Sequence, residues 1–382
     1  MLSHKILQYL EILRKENPDI GLRPDAKSQI TIAYDYTGKP IKIDTIIVSQ
    51  QHCEKLSIET LTTLIHDAIS AVMKDASIAQ KLGPLLGLIV LVVVVSIMNP
   101  SFLAPLNILN LLRQVAINAL IAYGMTFVIL TGGIDLSVGA ILALSSTLMA
   151  GMMVSGMDPI LAILVGCLLG AIMGAVNGLL ITKGKMAPFI VTLATMTIFR
   201  GLTMVYTNGN PITGLGDSFM FQVFGRGYFL GIPVPAITMI ITFVILWVIL
   251  HKTPFGRQTY AIGGNEKAAI ISGIKVDRVK IMIYSLAGLL AALAGAILTS
   301  RLNSASPTAG DSYELDAIAA VVLGGTSLSG GRGWIVGTLI GALIIGTLNN
   351  GLNLLGVSSF FQMVVKGGVI ILAVLMDRKK AA

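Results

Sequence analysis

Apolar stretches of the kind that cross a lipid bilayer recur along most of this chain, and they constrain its fold more than any other feature. A membrane-spanning helix needs roughly 17–25 mostly apolar residues. We find about ten such stretches, near residues 83–98, 115–131, 138–155, 160–182, 188–207, 234–251, 281–299, 313–329, 334–352 and 361–376. The sequence therefore predicts an all-α polytopic membrane protein with about ten transmembrane helices.

Charged residues divide the chain into two unlike parts. The first 80 residues contain 19 charged side chains, whereas the remaining 302 contain only 27. Soluble domains carry about 25% charged residues, so only the first part has a soluble composition. We predict a soluble fragment over residues 1–77 and a membrane domain over residues 78–382.

The soluble fragment has the pattern of a small α+β unit. Residues 29–36 and 41–50 alternate or are rich in β-branched side chains around the turn at 37–40, which predicts a hairpin. The apolar residues after Ser57 follow helical spacing. Such a unit has little core, and we expect it to need a partner surface.

The basic residues of the second part predict the orientation of the spans. With ten spans and a cytoplasmic N-terminus, thirteen basic residues lie in cytoplasmic segments and three in external loops. The cytoplasmic ones are Lys81, Lys183, Lys185, Lys252, Arg257, Lys267, Lys275, Arg278, Lys280, Arg332, Arg378, Lys379 and Lys380, and the external ones are Arg113, Arg226 and Arg301. Excess positive charge marks the cytoplasmic face, which predicts that both termini lie inside. Nucleic acid is not an expected partner, because these charges are single and scattered.

Small residues repeat every fourth position in the predicted spans. Gly166, Gly170, Gly174 and Gly178 lie on one helix face, and Gly337 and Gly341 repeat the spacing. Helices in lipid approach closely through such faces. We expect a tightly packed bundle.

The longest polar stretch of the membrane part, residues 251–280, contains a candidate docking helix. Asn265 suits an N-cap, Glu266 the first turn and Gly273 the stop. The helix between them would expose alanines and isoleucines, which is better explained if a partner covers it. The alternative is that this stretch only connects two spans and stays in contact with water.

Several kinds of chemistry are not indicated. The glycine-rich run at 324–333 does not match a phosphate-binding loop. Such a loop has Lys and then Ser or Thr after its last glycine, whereas here Arg332 and Gly333 follow Gly331. Cys53 and Cys167 have no metal-ligand spacing and predict no disulfide framework. We therefore expect no metal site and no catalytic residues.

Ionisable residues inside spans are candidates for function because their burial in lipid is costly. Arg200 and Lys366 lie within spans, whereas Glu314 and Asp316 begin one. We expect Asp135 to lie at a span end near water. None of them forms a carboxylate–histidine chain, which disfavours a proton-driven transporter.

Five segments carry a resemblance to a known family. They are ILTGGIDLSVGA (129–140), RGLTMVYTNGNP (200–211), AIGGNEKAAIISGI (261–274), PTAGDSYELDAIAAVVLGGTSLSGG (307–331) and LNNGLNLLGVSS (348–359). From about residue 78 to the end, the chain resembles the membrane permeases of bacterial ribose-type ABC sugar importers. Permeases for other pentoses, for galactosides and for furanose-type signals share much of this pattern.

The permease resemblance implies a transporter subunit of the bacterial inner (plasma) membrane rather than an enzyme. It would form a homodimer, contact cytoplasmic ABC ATPase subunits that use the ATP, and receive sugar, expected to be ribose, from a periplasmic binding protein. No cofactor would bind the permease itself. The loop with Gly264, Asn265, Glu266, Ala268, Ala269 and Gly273 resembles the family's ATPase-coupling motif, although Lys267 interrupts its register. Candidate residues of the substrate pathway are Asn118, Tyr123, Asn208 and Asn349.

The first part resembles a different family. Segments 21–29, 38–44 and 47–52, within residues 3–74, are similar to the middle of S-adenosylmethionine synthetase. By that resemblance Asp25 and Lys27 hold positions that help to bind methionine and ATP phosphates. The remainder of such an active site is absent, so we predict a vestigial, non-catalytic segment. A membrane-tethered synthetase and a proton-coupled transporter are the alternative functions.

Overall fold

A computed structural model of the protein describes residues 76–216 and 218–381, which belong to one compact unit, Asp75–Ala382. Its helices are α1 (Ala76–Met98), α2 (Pro105–Leu130), α3 (Val138–Val154), α4 (Pro159–Thr182), α5 (Pro188–Thr207), α6 (Phe219–Arg226), α7 (Val234–Lys252), α8 (Pro254–Gly264), α9 (Glu266–Ile271), α10 (Val276–Leu302), α11 (Tyr313–Leu323), α12 (Ile335–Leu354) and α13 (Ser359–Ala381). A 3₁₀ turn (Pro100–Leu103) precedes α2, and strands β1 (Tyr228–Phe229) and β2 (Ile232–Pro233) form a small antiparallel hairpin. The predicted hairpin and helix of the first part, with Asp25 and Lys27, lie outside the described residues.

The helices confirm a polytopic membrane protein. Six of them, α2, α4, α5, α7, α10 and α12, are long and apolar enough to cross a membrane. Shorter apolar helical stretches cover Gly83–Met98 and Val138–Val154. The predicted total of ten spans remains a prediction.

Helices α2 and α10 form the centre of the bundle. Most of their apolar windows are buried, whereas less than a third is buried in α4, α5 and α7. The glycine face of α4 packs on α10 so closely that a Cβ added at Gly174 would lie 2.0 Å from the carbonyl oxygen of Tyr284. The predicted close packing at this face is therefore confirmed.

Helix α11 is shorter than the apolar stretch at 313–329 indicates, because it ends at Leu323. Gly325 has a φ of +88°, a conformation that favours glycine and ends the helix. The chain then folds back, with the amide of Ser327 donating to the carbonyl of Arg332 at 2.9 Å. The indole of Trp334 closes this loop by donating to the carbonyl of Gly324 at 3.0 Å.

The expectation that Asp135 lies near water is wrong. Its exposed fraction is 0%. Its Oδ1 accepts hydrogen bonds from the amide and hydroxyl of Ser137, at 2.9 and 2.6 Å. Asn177 of α4 donates to the same hydroxyl at 2.7 Å. Asp135 thus lies inside the bundle, and Asn177 of α4 holds the Ser137 hydroxyl that donates to it.

Candidate functional site

The short helix α9 has the ends that its sequence predicts. The side chain of Asn265 caps the helix by accepting from the amide of Ala268 at 3.0 Å. Glu266 occupies the first turn, and Gly273 follows the helix with a φ of +82°. Gly264 is the last residue of α8, so the two helices meet at the cap.

Helix α9 turns apolar side chains outward. Ala269 is 4% exposed and fixes the helix to the bundle, whereas Ile270 and Ile271 are 57% and 86% exposed. Ala268 is also exposed. Within a polar connector, such a surface is typical of a site that a protein partner covers.

An ion pair ties α9 to the start of α10. The Nζ of Lys280 donates to both carboxylate oxygens of Glu266, each at 2.8 Å. The Lys280 side chain is largely buried, while that of Glu266 is about half exposed. This ion pair therefore links the exposed helix α9 to the first turns of α10.

The loop between α11 and α12 packs against the end of α8. The amide of Gly331 donates to the carbonyl of Leu130, at the end of α2, at 2.9 Å. A Cβ added at Gly263 would lie 1.7 Å from that same carbonyl oxygen and 2.4 Å from the Gly331 nitrogen. Backbone segments from α2, α8 and this loop thus meet beside the N-cap of α9.

Tyr260 adds a polar contact to this junction. Its hydroxyl donates to the carbonyl of Gly333 at 2.8 Å. Burial raises the pKa of Tyr260 above its usual value, because the charged phenolate would lose hydration. The hydroxyl therefore remains a donor even at alkaline pH values at which an exposed tyrosine begins to ionise.

A polar cavity of about 180 Å³ lies among α2, α10, α11 and α12. Its lining consists of Gln114, Ile117, Asn118, Arg301, Tyr313, Asn349 and Asn353. Amide, guanidinium and phenol groups of this kind both donate and accept hydrogen bonds, which suits a small polyhydroxyl ligand.

The cavity brings together two of the four predicted pathway residues, Asn118 and Asn349. Tyr123 is buried elsewhere in α2, with its ring centroid 6.0 Å from that of Phe243. Asn208 is exposed at the C-cap of α5, with a φ of 49°. Neither of these two lines the cavity.

Sequence reasoning missed the remaining polar lining residues, although one signal was available. Gln114 lies four positions before Asn118, and Asn349 lies four positions before Asn353. Residues four apart share a helix face. Two Asn or Gln side chains on the same face of an otherwise apolar helix could therefore have indicated the cavity.

Two of the ionisable residues identified from the sequence, one within a predicted span and one at the start of another, form an ion pair near this cavity. The Nζ of Lys366 on α13 lies 2.9 Å from the Oδ2 of Asp316 on α11. Arg200, on α5, instead donates to the carbonyls of Pro307 and Ala309, both at 2.8 Å. Among the described residues, no group of three or more His, Cys, Asp or Glu side chains could hold a metal ion.

Comparison with known proteins shows two matching families. The family described as "Branched-chain amino acid transport system / permease component" matches residues 107–374. The family described as "S-adenosylmethionine synthetase, central domain" matches residues 1–84. The two matches do not overlap, in agreement with the compositional division of the chain.

Individual relatives match the second part over nearly their whole length. A ribose import permease protein of Bacillus subtilis is 83% identical over 305 residues, covering 80% of this chain and 95% of the relative. Ribose import permease proteins of Haemophilus influenzae and Escherichia coli K12 are 56% and 55% identical, each covering over three quarters of this chain and over 90% of the relative. No solved structure matches the chain.

Proposed function

Because the chain belongs to the family of transport-system permease components, we propose that it is the transmembrane subunit of an ABC importer that moves ribose into the cytoplasm. The observation that carries this proposal is the 83% identity to a ribose import permease, across 95% of that relative. Two further ribose import permease proteins, at 55–56% identity, support the same function. A permease for another pentose or related sugar is the alternative.

The transport mechanism that we propose is alternating access driven by separate ATPase subunits. The permease itself does no bond chemistry and binds no cofactor, since ATP is hydrolysed on its partners. Helix α9 docks on the ATPase through Ile270 and Ile271, whose exposure supports this role. The residues Gly264, Asn265, Glu266, Ala268, Ala269 and Gly273 form this coupling loop, and Glu266 passes its movement to Lys280.

We further propose ten spans in the bacterial inner (plasma) membrane, with both termini in the cytoplasm. The six long apolar helices, together with α1, α3, α13 and the apolar stretch 313–329 that begins with α11, give this number. This topology places α9 on the cytoplasmic side, where Lys267, Lys275 and Lys280 satisfy the positive-inside rule. Arg301 and its cavity then lie towards the external side.

The remaining partners follow from this arrangement. A second copy of the permease would complete the translocation path, and a periplasmic sugar-binding protein would deliver ribose to the external side. Asn118 and Asn349 would then hydrogen-bond to sugar hydroxyls in the cavity. Tyr123 and Asn208 would act elsewhere on the path, after rearrangement of the bundle.

We propose that residues 1–77 are catalytically silent. The match to the synthetase family covers only its central domain, at residues 1–84. ATP chemistry needs phosphate binding, Mg²⁺ ligands and a positioned nucleophile together. Purified protein given methionine and ATP is expected to form no S-adenosylmethionine, and formation that is lost in a Lys27→Ala variant would contradict this.

The proposed transport is tested in proteoliposomes that contain the permease with its cognate ATPase and binding protein. Labelled ribose is expected to accumulate only when ATP is present on the ATPase side. Uptake of another sugar in preference to ribose would leave the permease role intact and correct the substrate. Uptake driven by a proton gradient without the ATPase would overturn the proposal.

A further inference from the structure

The segment between α10 and α11, residues 303–312, returns into the bundle from the external side of the proposed topology. We call it the strap. A Cβ added at Gly310 would lie 2.7 Å from the carbonyl oxygen of Gly139, the second residue of α3. In that topology the external end of α3 is Val154, which lies 15 residues after Gly139 and thus about 22 Å along the helix. Non-helical backbone at such a depth is tolerated only where it is buried in protein or lines a cavity.

The strap joins two residues that line the polar cavity. Arg301 lies two positions before it, and Tyr313 directly follows it. The amide of Tyr313 donates to the carbonyl of Gly310 at 3.2 Å, so the first residue of α11 is fixed to the strap. The strap is therefore continuous with the cavity lining at both of its ends.

Helix α5 and the segment after it hold the strap through its main chain. The guanidinium group of Arg200 donates to the carbonyls of Pro307 and Ala309, both at 2.8 Å. Ile212 and Ala305 exchange both of their main-chain hydrogen bonds, each at 2.9 Å, as paired residues of antiparallel strands do. A charged side chain within a span is costly in lipid, so the use of Arg200 to hold this segment indicates a function.

Both ends of the strap have backbone conformations that suit a hinge. The φ angles of Asn303 and Ser312 are 53° and 65°, values that residues other than glycine seldom adopt. Such conformations persist only where the surrounding structure holds them, and they cluster in switch regions. The contacts of Arg200 and Ile212 contribute to this restraint.

We propose that the strap closes the external side of the sugar cavity, and that it separates from Arg200 and Ile212 to admit sugar. When attached, it keeps Arg301 and Tyr313 in the positions that complete the cavity lining. Arg200 is then a positioning residue, since it acts through the strap and touches no sugar itself. The inference rests on the proposed import of a monosaccharide and deepens it by naming the segment that admits the sugar.

A reversible cross-link tests whether the strap has to separate. The Cα atoms of a hydrogen-bonded antiparallel pair such as Ile212 and Ala305 are about 5.5 Å apart, a distance that a disulfide spans. A permease with Ile212→Cys and Ala305→Cys is expected to take up ribose when reduced, to lose ATP-dependent uptake when oxidised, and to regain it on reduction. Phe229→Cys with Ile232→Cys is the matched control, because these two residues pair in the β1–β2 hairpin, outside the strap. Its uptake is expected not to depend on oxidation.

Variants of Arg200 test its role without introduced cysteines. Arg200→Met removes both hydrogen bonds to the strap and is expected to reduce the ribose taken up per ATP hydrolysed about tenfold. Arg200→Lys keeps a charged donor and is expected to retain more uptake than Arg200→Met, although thermal unfolding should show similar melting temperatures for the two. Arg226→Met is the control, since Arg226 is exposed, and it is expected to leave uptake unchanged.

The outcomes distinguish this inference from the proposed function. An oxidised Cys pair at positions 212 and 305 that takes up ribose as well as its reduced form would overturn the separation of the strap. Unchanged uptake per ATP by Arg200→Met, or equal losses in Arg200→Met and Arg200→Lys, would overturn the positioning role. If the pair does not fold or does not form the disulfide, normal uptake by Arg200→Met would overturn the proposal alone. A wild-type complex that moves no ribose would instead overturn the proposed function.

Discussion

Lys280 donates to both carboxylate oxygens of Glu266, at 2.8 Å each, and so joins the exposed helix α9 to the beginning of α10. Helix α10 runs from Val276 to Leu302, and Arg301 near its far end lines the polar cavity. One continuous helix thus connects the proposed ATPase contact with the proposed sugar cavity. This connection gives a physical route by which ATP hydrolysis would change the cavity.

The Glu266–Lys280 pair is expected to matter for coupling more than for folding. Glu266→Gln should change the free energy of unfolding by no more than about 1 kcal/mol, because the carboxylate is half exposed. Ribose uptake per ATP should fall, since α9 is no longer held to α10. Exchanging the charges, with Glu266→Lys and Lys280→Glu, should restore part of the uptake, and equal losses in the single and exchanged variants would contradict this role.

Ile271, the more exposed of the two outward isoleucines of α9, is expected to contact the ATPase. Ile271→Glu should leave the melting temperature nearly unchanged, because the side chain is 86% exposed. It should weaken co-purification with the cognate ATPase, since a charge would replace apolar contact area. Leu230→Glu is the matched control, because Leu230 is 88% exposed in the hairpin between β1 and β2. Equal co-purification of all three proteins would exclude Ile271 from the interface.

Replacing each of the two neighbouring glycines at the end of α8 with alanine is expected to lower the stability of the protein in one case and to leave it nearly unchanged in the other. Gly263→Ala should lower the free energy of unfolding by about 1–3 kcal/mol, because its Cβ would lie 1.7 Å from the carbonyl oxygen of Leu130. Gly264→Ala should have an effect within about 0.5 kcal/mol, since nothing lies within 4 Å of its Cβ. Thermal unfolding in detergent measures both. Similar melting temperatures would show that the junction is not closely packed.

The Tyr260 hydroxyl is expected to stabilise the junction at neutral pH. Tyr260→Phe should cost about 1 kcal/mol through loss of the hydrogen bond to Gly333. Because burial raises the pKa of Tyr260 in the folded protein, its contribution is complete below the usual tyrosine range and declines as the pH rises beyond it. Unfolding measured between neutral and strongly alkaline pH should therefore show a smaller alkaline loss in the variant. An equal loss in both proteins would contradict the assignment.

Features that depend on residues close together in the sequence, such as the ends of α9, could be predicted from the sequence. Asn265 and Gly273 indicated the ends of α9 because capping depends on residues a few positions away. The glycine spacing of α4 predicted a closely packed helix face, because residues four positions apart lie on the same face, but it did not indicate that α10 packs there. The extent of α11 was overestimated, because the apolar run continues beyond Leu323 while Gly325 ends the helix.

Long-range contacts account for what the sequence did not predict. Asp316 and Lys366 are 50 positions apart, and neither residue carries a local sign of its partner. Asp135 was expected near water because it follows an apolar run, yet it is fully buried and accepts from Ser137, whose hydroxyl in turn accepts from Asn177 of α4. The cavity joins Asn118 and Asn349 only after α2 and α12 pack together. Such contacts depend on the packing of the whole bundle.

The most direct test of the central claim is uptake of labelled ribose by proteoliposomes that contain the permease, its cognate ATPase and the binding protein. Wild-type complexes are expected to accumulate ribose in an ATP-dependent manner, and omission of the permease should abolish this accumulation. A complex that binds and hydrolyses ATP but moves no ribose, with every partner present, would contradict the assignment of this chain as the ribose-importing subunit.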